Sequence, residues 1–118
     1  TLLTGFTTSR GREKDHALIY DEPEIGMSEE AQMGAGEFMV NELVGNWPQK
    51  LLGFVVMTHS RHIAGQLMKI NGAKLVNIGG KYKTAEEWIN RSLVPIPPAM
   101  VKEAGHANWA KFAKLMKK

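Results

Sequence analysis

The chain takes its order from His16-Ala-Leu-Ile-Tyr-Asp-Glu-Pro-Glu-Ile-Gly-Met-Ser28. Ala17-Leu18-Ile19-Tyr20 is an apolar run of the length of a buried strand. It closes on two adjacent carboxylates, Asp21 and Glu22, and Pro23 blocks any continuation. Acids at the C-terminal end of a buried strand are badly placed for packing. They are well placed for a ligand, because open α/β sheets bind ligands outside the carboxyl ends of their strands. Taken alone, a solvated loop that opens with two acids explains the pair equally well.

On the N-terminal side, Thr1 to Lys14 reads as helix, with Leu2, Leu3 and Phe6 at helical spacing and Gly5 and Gly11 weakening it. The first strand follows at Ala17 to Asp21. Ser28-Glu-Glu-Ala is a helix start, with Ser28 as cap and Glu29 and Glu30 at the positive end of the helix dipole. That helix reaches Val44, and Gly45-Asn46 with Pro48 ends it. Leu51 to Met57 is apolar on both faces, as a central parallel strand requires. Thr58-His59-Ser60 follows, then a helix from Ser60 to Ile70. Lys74 to Ile78 reads as a third strand and Thr84 to Ser92 as a helix capped by Thr84. Pro95, Pro97 and Pro98 mark an extended connector, and His106 to Met116 an amphipathic helix. The alternation is β-α-β-α-β, so the fold class is α/β with parallel strands and flanking helices.

Composition excludes several classes. With 43% hydrophobic and 23% charged residues over 118 positions, the chain is globular and sized for one domain or part of one. The absence of cysteine rules out a disulfide scaffold and thiolate metal sites, and is compatible with a cytoplasmic protein. No apolar run reaches the roughly 18 residues that span a bilayer, so no membrane partner is expected. The net charge of +3 permits DNA contact without arguing for it. No G-x-x-x-x-G-K-[ST] phosphate loop occurs.

In a parallel sheet the strand C-termini share one edge. Asp21 and Glu22 then face Thr58, His59 and Ser60 across a crevice if their strands are neighbours. A carboxylate that holds Mg²⁺, a second that polarises water and a histidine at a terminal phosphate together suit phosphoryl chemistry. Other candidates are weaker. Ser9-Arg10-Gly11-Arg12 reads as a solvated helix end rather than a phosphate contact. His62, three residues after His59, offers a metal pair only on spacing. Trp88 and Trp109 read as core or interface, and the lysine-rich last helix as a solvated face.

Leu18-Ile-Tyr-Asp-Glu-Pro-Glu-Ile-Gly-Met-Ser28 resembles the Walker B segment and following D-loop of ABC-type ATPases. The likeness is to the SMC-like and RecF-like branch of chromosome, repair and defence proteins, where apolar residues precede Asp-Glu-Pro-Glu-x-Gly. Val55-Val-Met-Thr-His-Ser60 is similar to that family's switch-histidine strand. The separation of the two motifs leaves room for one helix and one strand, as in the family. The resemblance covers Thr1 to Ile70, and no motif is recognisable after Asn71.

The resemblance implies a partial P-loop NTPase fold, ATP and Mg²⁺ as cofactors, and ATP hydrolysis as activity. Asp21 would support Mg²⁺, through water or directly, and Glu22 would position the hydrolytic water. Ile25, Gly26, Met27 and Ser28 would form the D-loop that reaches toward the partner subunit. His59 would sit at the γ-phosphate. The family's Walker A and Q-loop precede these motifs and are missing here. Its signature loop would fall at or before Thr1. The chain is therefore expected to be the C-terminal half of such a domain, residues 1–70 carrying the motifs and 71–118 a further strand and helices. Its partners would be the N-terminal half with the Walker A loop, a second copy in a head-to-tail dimer, and DNA. The competing expectation is a non-catalytic regulatory subunit with a degenerate ATPase half, docking a partner that supplies the missing part.

Overall fold

The computed structural model describes residues 2–93, 95, 97–103, 113 and 114. In order these form α1 (Leu2–Gly11), β1 (His16–Asp21), α2 (Glu29–Leu43), β2 (Leu51–Met57), α3 (Arg61–Leu67) and α4 (Ala85–Ile89). The fold is mixed α/β. β1 and β2 pair in parallel, with α2 as the crossover between them. The register runs Ala17↔Gly53, Ile19↔Val55, Asp21↔Met57, after a shift between His16 and Ala17.

The strands alternate as a half-covered sheet demands. Leu18 and Tyr20 of β1 and Phe54 and Val56 of β2 turn toward the helices and pack on the core. Phe6 of α1, Met39 of α2 and Ile63 of α3 are fully buried there. Phe6 gathers three rings, with centroids 5.8 Å from Tyr20, 5.9 Å from Phe38 and 5.7 Å from Phe54. Burying one such side chain is worth about 1.5–3 kcal/mol, so this cluster fixes the helices to one face of the sheet. Tyr20 donates from its hydroxyl to the Leu2 carbonyl at 2.6 Å. Burial first, then the charge of Glu42, holds its phenol above the ordinary value, against a smaller opposite pull from the Phe6 backbone, so it remains a neutral donor.

α2, α3 and α4 start at the caps that the sequence predicts. Ser28 caps α2 by accepting from Ala31 N, Ser60 caps α3 by accepting from Ile63 N, and Thr84 caps α4 by accepting from Glu87 N. Gly45 ends the α2 region at φ +74°. α2 and α3 pack closely because Gly36 has no side chain: a Cβ there would lie 3.0 Å from Gln66 Cβ and 3.2 Å from the His62 carbonyl. Ser9-Arg10-Gly11-Arg12 is structural in part. Ser9 is buried against His16, Oγ to Nε2 2.6 Å, and Arg10 pairs with Glu42 and reaches the Glu42 carbonyl at 3.3 Å.

Three expectations need correction. Lys74 to Ile78 is not a strand. Among the described residues nothing pairs with it, Val76 and Ile78 are exposed, and Asn77 turns the backbone locally. Its Oδ1 accepts from Gly79 N at 3.2 Å and its Nδ2 donates to the Tyr82 carbonyl at 3.3 Å. The proline connector is not extended throughout, since residues 98–103 are helical. Met100 N and Val101 N donate to the Pro97 carbonyl, and proline is tolerated in a first turn because its missing N–H would be unsatisfied anyway. Helices α1, α3 and α4 are also shorter than expected, ending at Gly11, Leu67 and Ile89. The expected helix from His106 to Met116, with Trp109, lies outside the described residues apart from 113 and 114, which are helical.

Among the described residues nothing covers the opposite sheet face. Ile19, Val55 and Met57 share it and are 58%, 49% and 45% exposed, although parallel sheets are normally covered on both faces. Among the described residues both sheet edges are unpaired, since the order is β1-β2 alone. No helix among them is long and apolar enough to cross a membrane.

Gly5 tests the packing of α1 on β1. A Cβ there would lie 2.2 Å from the Tyr20 hydroxyl, and the ring cluster leaves Tyr20 little room to retreat. Gly5→Ala is expected to lower stability by about 1–3 kcal/mol in urea denaturation, overpacking outweighing a helix-propensity gain of about 1 kcal/mol. Combined with Tyr20→Phe it should lose less than the sum of the two single changes. Strict additivity would remove the clash from the explanation.

Candidate functional site

The parallel pairing carries β1 and β2 to the same edge, where their last residues, Asp21 and Met57, are register partners. The ladder runs one step further, as Glu22 N donates to the Met57 carbonyl at 2.7 Å. Glu22 is thereby held beside the turn that follows β2. Its Oε1 lies 2.8 Å from His59 Nε2. The two residues come from separate strand ends and meet only because the strands are neighbours.

The backbone at Glu22 is unusual. It has φ +46°, the one described residue other than glycine in the left-handed region. That conformation costs a non-glycine residue about 1–2 kcal/mol, and Pro23 disfavours helical geometry in the residue before it. It is held by the bond to Met57 on one side and by Ile25 N donating to the Glu22 carbonyl at 3.2 Å on the other. Strain of this kind persists where surrounding structure over-determines it and clusters at functional sites.

Glu24 closes the loop onto the second strand end. Its Oε1 accepts from the Thr58 hydroxyl at 2.7 Å and its Oε2 from His59 N–H at 2.8 Å. Burial pushes the Glu24 carboxyl up. The hydrogen bonds from Thr58 and from the His59 and Glu24 backbone, with the nearby His59 ring, outweigh it and hold the carboxyl below the usual glutamate value. The sequence motifs assign Glu24 no role of its own. Its only signal was an acid two positions past Glu22, opposite a Thr-His-Ser turn whose amides follow a strand and need acceptors.

The Asp21 side chain is exposed, lies on the sheet face of Ile19 and has no hydrogen-bond or ion-pair partner among the described residues. Asp21, Glu22, Thr58 and His59 line one end of a cleft of about 1040 Å³ that runs along the free edge of β2. Apolar side chains such as Val55, Met57 and Trp88 line most of the rest, with Asn71, Lys74 and Asn77 among them. A second, apolar groove of about 620 Å³ between α1 and α2 has no charged side chain in its lining.

The four D-loop positions divide. Ile25 is exposed, Gly26 turns the chain at φ +80°, Met27 packs on the core, and Ser28 spends its hydroxyl on the α2 cap. His62 does not join His59. It bonds Glu29 through Nε2 to Oε1 at 2.7 Å, staple-like between α3 and α2. No group of three or more His, Asp or Glu side chains able to hold a metal occurs among the described residues. An unpartnered Asp21 nevertheless fits Mg²⁺, which is commonly bound by one or two carboxylates with waters and substrate phosphates supplying the rest.

No protein-family model, curated protein or solved structure matches the chain.

Two expectations follow from this geometry. In urea denaturation Glu22→Gly should be more stable than Glu22→Ala by about 1 kcal/mol, because only glycine adopts positive φ without penalty. Alanine equal to glycine there would mean the backbone relaxes out of the left-handed region. The second concerns pH. The native Glu24 carboxyl lies below its unfolded value, so its contribution is fully present above the ordinary glutamate value of about 4.3 and is lost as pH falls through the lower native one. The His59 amide proton shift should therefore titrate on acidification below the usual glutamate range. It should stay flat in Glu24→Gln.

Proposed function

We propose that the chain is the C-terminal half of an ABC-type ATPase domain of the SMC-like and RecF-like branch, and that Glu22 and His59 act on an ATP whose phosphates are held by a separate Walker A half. The observation that carries this reading is the 2.8 Å approach of Glu22 and His59 across the C-terminal ends of two neighbouring parallel strands. The Asp-Glu-Pro-Glu-x-Gly and Thr-His-Ser motifs were matched separately in sequence, and their acid and histidine meet in space. Two supporting features are the left-handed strain at Glu22 and the free Asp21 carboxylate beside it.

In this mechanism Glu22 exchanges its contact with His59 for the attacking water. Its carboxylate orients that water and accepts a proton as the oxygen bonds to the γ-phosphorus. The bond from that phosphorus to the bridging oxygen breaks, and ADP and phosphate leave. His59, at the rim, donates a hydrogen bond to the γ-phosphoryl oxygens when Glu22 turns to water. Asp21 would hold Mg²⁺, which neutralises phosphate charge. Ile25 and Gly26, exposed at the tip of the loop, lie where a head-to-tail second subunit would touch. The uncovered face with Ile19, Val55 and Met57, and the free sheet edges, give the Walker A half a surface to complete. The setting is a nucleotide-driven dimer in the cytoplasm, coupled to DNA handling or defence.

The competing reading, a regulatory half without catalysis, makes the same surface a docking site and leaves Glu22 idle. Replacement of Glu22 separates the two. In the complex of this chain with the Walker A half, Glu22→Gln should lower the ATP hydrolysis rate by roughly 10²–10⁴-fold, the range of a lost general base. ATP binding and dimerisation should persist. Turnover unchanged by Glu22→Gln would take Glu22 out of the mechanism.

A further inference from the structure

His59 presents a physical problem. Its side chain is 83% exposed, so packing does not hold its ring, yet the ring meets Glu22 at 2.8 Å. A side chain with so little contact is directed by its backbone. The His59 peptide is gripped at both ends: its N–H donates to Glu24 Oε2 at 2.8 Å, and its carbonyl accepts from Arg91 Nη2 at 3.4 Å. Arg91 is itself fixed, stacked 4.0 Å from the Trp88 ring and bonded to the Trp88 carbonyl at 2.8 Å. The Arg91 contact is the longer and the weaker of the two.

Glu24 does more than hold one amide. Its other oxygen accepts a hydrogen bond from the Thr58 hydroxyl at 2.7 Å. That orients the Thr58 oxygen to accept from Ser60 N at 2.9 Å, and Ser60 in turn caps α3 at Ile63 N. One carboxylate thus sets the turn of Thr58, His59 and Ser60 relative to the loop that contains Glu22. We infer that Glu24 is the positioning residue of the Glu22–His59 pair: by bridging the Thr58 hydroxyl and the His59 amide it aims the imidazole at Glu22 without touching a substrate. Hydrogen-bonded supports of this kind alter the activity of the groups they orient by roughly 10–100-fold.

The role has a chemical signature. A carboxylate accepts at both oxygens, a glutamine at one, and an alanine at none. Glu24→Gln should therefore be intermediate and Glu24→Ala severe. The test has two arms on the same variants. In ¹⁵N-resolved spectra of this chain, the His59 amide proton should move upfield and exchange faster in the order Glu, Gln, Ala. The nuclear Overhauser contact between the His59 ring and the Glu22 side chain should fade in the same order, while Phe6 and Met39 signals hold still. If Glu24→Ala fails to fold, the near-isosteric Glu24→Gln carries the comparison. The kinetic arm rests on the ATPase reading. There kcat in the complex with the Walker A half should fall by roughly 10-fold or more in Glu24→Ala, with KM for ATP nearly unchanged. An unmoved His59 amide and an intact ring contact in both variants would overturn the inference, whatever the kinetics. Displaced His59 signals with no ATP hydrolysis by the wild-type complex would overturn the ATPase reading and leave Glu24 as the positioning residue of the pair.

Discussion

The pairing of β1 with β2 is the constraint on which the rest depends. Parallel neighbours bring C-terminal ends to one edge, and an antiparallel pair would have put Glu22 and His59 at opposite ends of the sheet. The register matters as much as the direction. Asp21 opposite Met57 lets Glu22 N reach the Met57 carbonyl, and that bond places the acid beside the turn that begins at Thr58. A slip of one residue would also have turned the core side chains of one strand outward, either Leu18 and Tyr20 or Phe54 and Val56, because side chains alternate with period two. The ring cluster around Phe6 therefore secures the register, and through it the site.

The strands, their order and the caps were readable because each rests on a local rule. Apolar runs of strand length bounded by Pro or Gly, and Ser or Thr before an acidic first turn, need no knowledge of distant residues. The failures fall where a competing local bond wins. Lys74 to Ile78 has the composition of a strand, but a strand is made by its partner, and Asn77 bonds its own neighbourhood instead. Pro98 looked like a breaker, yet at a helix start it costs nothing. In the site, Asp21, Glu22 and His59 were accessible to reasoning about strand ends. Glu24 was not, since what matters about it is a pair of acceptors for a turn 34 and 35 positions away.

The uncovered sheet face has a consequence for how the chain behaves. Ile19, Val55 and Met57 form an apolar strip beside two edges that no described residue pairs, and an open edge with an apolar face invites association. The core is correspondingly one-sided, assembled between the helices and a single face. The helices hold one wall of the site in place while the other side of the sheet is left available.

Magnitudes decide whether the Glu22–His59 pair is a stability device. An exposed ion pair returns about 0–1 kcal/mol, and His59 is exposed. The left-handed backbone at Glu22 costs about 1–2 kcal/mol, with Pro23 adding to it. The contact does not repay its own geometry, so folding alone would favour glycine at this position and an ordinary turn after β1. The strain is sustained by bonds at either side of Glu22 and by the Glu24 bridge. What these bonds achieve is a carboxylate and an imidazole held together at the edge of a cleft, reachable by solvent and beside an unpartnered acid. The stability of the fold does not account for that arrangement.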